Sequence, residues 1–139
     1  MAAIGFKEVF TAVRAGLNVA GVTALVANAN VYRGIPPRSA PIPNIRMQVQ
    51  SESRDISTIG RRVYQYFYIS VIGVANNPDS ADEISLAIDA ALERVSLSIG
   101  SSQHGNTMRV AQINYDEYGA DDEVYTHSGG IYEIGVKAI

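Results

Sequence analysis

Apolar residues recur at helical spacing near the start of the chain: Phe6, Val9/Phe10, Val13 and Leu17 form one stripe. That period predicts an amphipathic helix from Gly5 to Asn18. Gly16 and Gly21 weaken its end, and Val22 to Val26 fits one further turn. A short extended piece, Asn30 to Arg33, leads into Gly34-Ile-Pro-Pro-Arg-Ser-Ala-Pro-Ile-Pro43. Proline cannot donate to a strand ladder, so this stretch is read as a rigid extended loop.

From Asn44 to Gln50 the period becomes two, with Ile45, Met47 and Val49 on one face and Arg46, Gln48 and Gln50 on the other. This predicts a half-buried strand. Ser51 to Gly60 is polar and reads as the long tip of a hairpin whose return strand runs from Arg62 to Val74. In that return strand Val63, Phe67, Ile69 and Val71 take part in a buried face, and Tyr64, Tyr66 and Tyr68 line the opposite one. Two faces rich in β-formers mark a central strand.

Asn76 to Ser80 breaks the strand, and Ser80 with Glu83 has the spacing of a capping box. Ile84, Ala87/Ile88, Ala91/Leu92, Val95 and Ile99 then predict a long amphipathic helix. Gly100 to Gly105 reads as a loop, Thr107 to Tyr115 as a strand, and Asp116 to Glu123 as a solvated acidic loop. Val124 to His127 and Ile131 to Ile139 are strand-like. The expected class is α+β: a mostly antiparallel sheet of four or more strands, with two helices on one face and a long β-hairpin.

The 139 residues make one domain, residues 1–139. At 47% apolar and 18% charged, with a mean hydropathy of +0.03, the composition is that of an ordinary packed chain. No apolar run reaches a membrane span, and no secretory leader pattern opens the chain. Charge is unevenly distributed. Residues 1–62 hold eight Lys/Arg against three acids, a net +5; residues 63–139 hold three against eleven, a net −8. Two readings stay open: unlike surfaces that meet in a neighbouring copy, or charges that interleave on one sheet.

Candidate chemistry is sparse. Without cysteine there is no thiol catalysis, Cys-based zinc site or disulfide. Phosphate-binding and nucleophile-elbow patterns are absent. With only His104 and His127, a His-rich metal site is excluded. His104 beside Ser101 and Ser102 lies in a Gly-flanked polar loop, and adjacency in sequence is not triad geometry. Asp116, Glu117, Asp121, Asp122 and Glu123 lack the spacing of a calcium loop. Tyr64, Tyr66 and Tyr68 with Arg61 and Arg62 resemble a stacking platform for single-stranded nucleic acid. Tyrosine is equally at home in strands and interfaces, and the acidic second half argues against that platform. The expectation is no enzyme, no cofactor and no metal. The candidate interface residues are Arg38 in the proline loop, Arg54, Arg61 and Arg62 about the hairpin tip, Tyr64 and Tyr66 on the strand, and Asp121, Asp122 and Glu123 in the acidic loop.

The whole-chain layout resembles a known family. The N-terminal helix leads to Val31-Tyr32, then to the proline-punctuated Gly34 to Met47. The strand Val63-Tyr-Gln-Tyr-Phe-Tyr-Ile-Ser-Val follows, then the helix carrying Asp82-Glu and Ala90-Ala-Leu-Glu, and last Asp122-Glu-Val-Tyr-Thr-His-Ser-Gly-Gly-Ile-Tyr-Glu-Ile-Gly-Val. In this it resembles the tail-terminator, or tail-completion, proteins of long-tailed bacteriophages. The resemblance implies a non-enzymatic virion protein of the tail neck, assembled in the host cytoplasm. It implies a homo-hexameric ring on the last ring of tail tube protein, stopping tube growth and docking to the head-tail connector protein. DNA would pass through the lumen without specific binding, and no membrane or cofactor would take part. A related alternative is another neck or head-completion ring protein. From a different class, the alternative is a small cellular ligand-binding module.

Overall fold

The computed structural model describes residues 5–56, 62–99, 103–119 and 122–137, with the backbone alone at 53–56, 62–64, 103–104 and 137. Helix α1 spans Phe6–Gly16, within the predicted range, and buries Val9, Phe10, Ala12 and Val13. It starts at Gly5, whose N–H donates to Glu8 Oε2 at 3.0 Å. A single turn, α2 (Ala20–Thr23), and a 3-10 turn at Asn28–Asn30 lead to strand β1 (Val31–Arg33). Strands β2 (Asn44–Ile56) and β3 (Arg62–Ala75) form the hairpin, and α3 runs from Pro78 to Leu92. Strands β4 (Ser96–Ile99), β5 (Gln103–Tyr118) and β6 (Val124–Lys137) complete the chain.

The six strands form one sheet in the order β1-β2-β3-β6-β5-β4. It is α+β as predicted, but mixed, because β1 lies parallel to β2 while every other pair is antiparallel. β3 and β6 are central. The residues of β3 and β6 whose side chains face the helices, Phe67, Ile69, Val71, Tyr132, Ile134 and Val136, are buried with Ile84, Ile88 and Leu92 of α3. Phe6 of α1 meets Phe67 edge-on, with ring centroids 5.0 Å apart. Tyr66 and Tyr68 point to the other, helix-free face, as the alternation of β3 predicts.

Several expectations need correcting. α3 is capped by Asn77, whose side chain accepts from the Ser80 N–H at 2.8 Å. Pro78 occupies the first turn, where a missing N–H costs nothing. Ser80 is therefore inside the helix rather than its cap. The helix also stops at Leu92 instead of running on through Val95 and Ile99. Arg94 takes a left-handed φ of 58° and its N–H donates to Thr107 O, which turns the chain back along the sheet. Val95, Leu97 and Ile99 also fit a period of two, and sheet pairing selects that reading in β4.

The hairpin ladder continues to Ile56 opposite Arg62, so most of the predicted polar tip is strand; residues 57–61 lie outside the described residues. At the other end, Gln103–Gly105 and Asp116–Tyr118 belong to β5, not to loops. The two predicted C-terminal strands are one, β6, which runs through Gly129 and Gly130. A Cβ at Gly129 would lie 2.2 Å from Val71 O, so the close approach of β6 to β3 requires glycine there. Gly129→Ala is expected to cost about 1–3 kcal/mol by overpacking against backbone that cannot yield. Gly21→Ala, with nothing within 4 Å, is expected to be neutral or to gain up to ~1 kcal/mol in α2. Urea denaturation of both variants checks the pair, and equal effects would contradict the close approach.

Candidate assembly surface

The helix-free face is concave and falls into two parts. Near the hairpin, Tyr68 donates to Glu133 Oε2 at 2.9 Å across the β3–β6 pair. Tyr66 covers Gly135 opposite it; a Cβ there would sit 3.2 Å from the ring. A cavity of about 360 Å3 lies between Tyr66, Arg94, Asn106, Met108 and Glu133.

Toward the other end a polar cluster closes over the buried His127 and Ser70. His127 stacks on Tyr115, its cross-strand partner, with centroids 4.4 Å apart and planes 9° from parallel. Its Nε2 lies 2.9 Å from Glu117 Oε1 but out of line for a hydrogen bond. Arg46 reaches the same carboxylate at 4.0 Å from β2, across the two intervening strands, which shows how far the sheet curls. Burial first, and then the Glu117 carboxylate, pushes the Tyr115 phenol above its ordinary pKa. Ser70 Oγ is buried without a partner beside a cavity of about 50 Å3 that this cluster also lines. A space of this size among polar atoms is fit for an ordered water.

On the helix face a second polar cluster locks α3 to the sheet. The Tyr132 hydroxyl accepts from Arg109 Nη2 at 2.8 Å and donates to Asp89 Oδ1 at 3.1 Å. Arg109 Nε is also 3.1 Å from Asp89 Oδ1, and Nη2 reaches the Ser85 carbonyl at 3.4 Å. Burial raises the Tyr132 phenol far above its ordinary pKa, although the Arg109 guanidinium opposes that, so it stays protonated and donates. At the start of α3, Asp82 Oδ1 accepts from Ser128 Oγ at 2.9 Å. These groups act as fasteners between layers.

The candidate interface residues divide between the two ends of the sheet. Arg54 lies opposite Gln65, Arg62 opposite Ile56, and Tyr64 between Asp55 and Lys137, all near the hairpin end with Tyr66. Arg61 and Asp121 lie outside the described residues. At the opposite end Arg38 is exposed in the proline loop and lines a cavity of about 210 Å3 with Arg46, Glu117 and Tyr125. Asp122, with a left-handed φ of 59°, and Glu123 are exposed at the β5–β6 connection, where Glu123 accepts a bond from the Tyr125 hydroxyl. Glu117 is expected in a solvated loop; it is exposed, but it lies on a strand, beside His127 and Arg46. Its shared parity with Tyr115 in an alternating stretch is the signal that could have placed it. Among the described residues no group of three or more His, Asp or Glu side chains is arranged to hold a metal.

The fold is shared with a chain in a solved structure titled "Virion of native gene transfer agent (GTA) particle". The TM-score is 0.61 at 21% identity, over 92% of this chain and 93% of that one. No protein-family model matches the chain, and no curated protein matches its sequence.

Tyr132→Phe is expected to cost about 1–3 kcal/mol, because Asp89 and Arg109 lose a partner in a largely buried site. Stability is read by urea denaturation and self-association by sedimentation. A fastener role predicts that the first changes and the second does not; the reverse result would make this cluster part of an interface.

Proposed function

We infer that the chain is a structural virion protein that assembles as a ring of six copies on the end of a phage-type tail tube. There it ends tube growth and presents the surface to which the head connector docks. The observation that carries this reading is the fold shared along nearly the whole chain with a component of a virion particle. The family resemblance of the sequence supports the narrower role, and the makeup of the surface is consistent with it. A closed ring needs a heterologous interface, in which one surface of a subunit meets a different surface of the next. The excess of basic residues up to position 62 and of acidic residues after it supplies unlike surfaces. Arg46 and Glu117 interleave within one chain, whereas Arg38, Asp122 and Glu123 remain exposed for use between chains. The role is non-enzymatic and uses no cofactor; its partners are further copies, the tube protein and the connector protein.

Exposed ion pairs contribute only about 0–1 kcal/mol each, but a ring repeats each pair at every boundary. Charges farther apart than ~8 Å are screened at physiological ionic strength. Purified protein is therefore expected to form rings at low salt and to lose them progressively as salt rises. Reversing Arg61 and Arg62 to Glu is expected to weaken assembly without lowering the melting temperature. Added to growing tail tubes, the protein is expected to cap one end and fix tube length, as seen by negative stain. Tubes whose length ignores it, with the chain monomeric throughout, would overturn the reading.

A further inference from the structure

The two lateral edges of the sheet are stepped in opposite senses. On one side β1 covers β2 only at Ile45–Met47 and leaves the outer edge of β2 from Gln48 onward without a strand among the described residues. On the other side β4 covers β5 only at Gln103–Asn106. The ladder registers place β1 at the end of the sheet away from the hairpin and β4 at the hairpin end. Each side thus has one projecting and one recessed half, and the projecting half of one side lies level with the recessed half of the other.

The recessed half of β5 is a strand edge of the kind that recruits another strand. Thr107 N donates outward to Val95 O, and Arg109 N donates outward to Glu93 Oε2 at 2.6 Å. Past the bulge at Val110, the alternation of the β5–β6 pairs makes Gln112, Asn114 and Asp116 the next residues whose backbone groups face outward. Among the described residues no strand meets them. The segment is also apolar for an open edge: Val110 is 46% and Tyr118 81% exposed. Neither proline nor lysine, two usual protections against edge pairing, occurs between Val110 and Tyr118.

We propose that this open edge of β5 takes β1 of a second copy of the chain as an antiparallel seventh strand. The step heights match, so copies related by rotation about an axis along the strands bring β1 level with residues 110–118. Polarity matches as well, because β1 runs with β2 and β5 runs against it. Opposite charges also lie along the join. Arg33 is exposed on the helix side of β1, where its guanidinium lies 4.5 Å from the Phe10 ring centroid. Asp116 is exposed on the same side of β5, where it accepts from Thr126 Oγ1 at 2.7 Å. The registers set Arg33 of one copy level with Gln112 of the next, with Asp116 four residues further along the same side of β5. A β1–β5 join uses different surfaces of each copy, so it propagates around a ring.

This inference rests on the ring reading and adds the surfaces that meet. The cysteine-free chain permits a direct test by cross-linking. Arg33→Cys is combined in one chain with Gln112→Cys or with Asp116→Cys, all on the helix side, and oxidised after assembly. A ladder of covalent multimers is expected from at least one of these pairs, and none from Arg33→Cys with Ser98→Cys on β4. Arg33→Glu is expected to reduce the assembled fraction several-fold, and Gln112→Arg added to it to restore it. Gln112→Pro, which removes one outward N–H, is expected to block assembly; its melting temperature shows whether the monomer still folds. Rings that form normally but cross-link only elsewhere, with no rescue by Gln112→Arg, would overturn this join and leave the ring reading intact. Wild-type protein that stays monomeric and leaves tubes unchanged would overturn both.

Discussion

Everything in this fold depends on the antiparallel pairing of β3 with β6, residue 64 opposite 137 through residue 75 opposite 126. One face of that pair supplies Phe67, Ile69, Tyr132 and Ile134 to the core under the helices. The other face carries Tyr66, Tyr68, Ser70, His127 and Glu133 away from them. Gly129 lets the two backbones approach where a side chain would collide with Val71, and Gly130 does the same for β6 against β5 at Ala111. A strand pair with one dry face and one mixed face leaves the outer strands free to be short and unequal. That inequality produces the open edges.

The helix-free face is not an exposed core. Tyr68 and Glu133 bind each other, Tyr66 lies on Gly135, and His127 is shut in by Tyr115 and Glu117. Most of the polar groups there meet a neighbour, and Ser70 Oγ borders a small cavity fit for water, an arrangement that favours a fixed shape. On the opposite face, Arg109, Asp89 and Tyr132 fasten α3 to the sheet. The chain therefore has rigid faces and unfinished edges. Rigid faces suit a part that repeats in an assembly, and the edges open among the described residues are the joints proposed for it.

Much of this was legible in the sequence where a single period was unambiguous. The 3.6-residue stripe placed α1, and the alternation of β3 divided core residues from the tyrosines. Failures came where two periods coincided or where pairing overrode composition. Val95 and Ile99 fit a helix as well as a strand, and only the turn at Arg94 decides between them. Ser51 to Ile56 looks like a loop because it is polar, yet cross-strand pairing with β3 makes it strand. Glu117 looks like part of a loop within a run of acids; it is exposed, yet strand parity sets it beside His127 and Arg46 from strands distant in sequence. The open edge of β5 could not be read at all. Which strand lies beside which is a property of the sheet, and local patterns carry no trace of it.

The central claim is that the unpaired sheet edge is completed by another copy of the same chain. Amide hydrogen exchange across residues 110–118 tests this most directly, compared between dissociated chain at high salt and assembled rings at the same pH and temperature. The expected result is strong slowing of the segment holding Gln112, Asn114 and Asp116 on assembly, with β3 and β6 already slow in both states. Assembled rings in which that segment exchanges as fast as in the dissociated chain would contradict the claim.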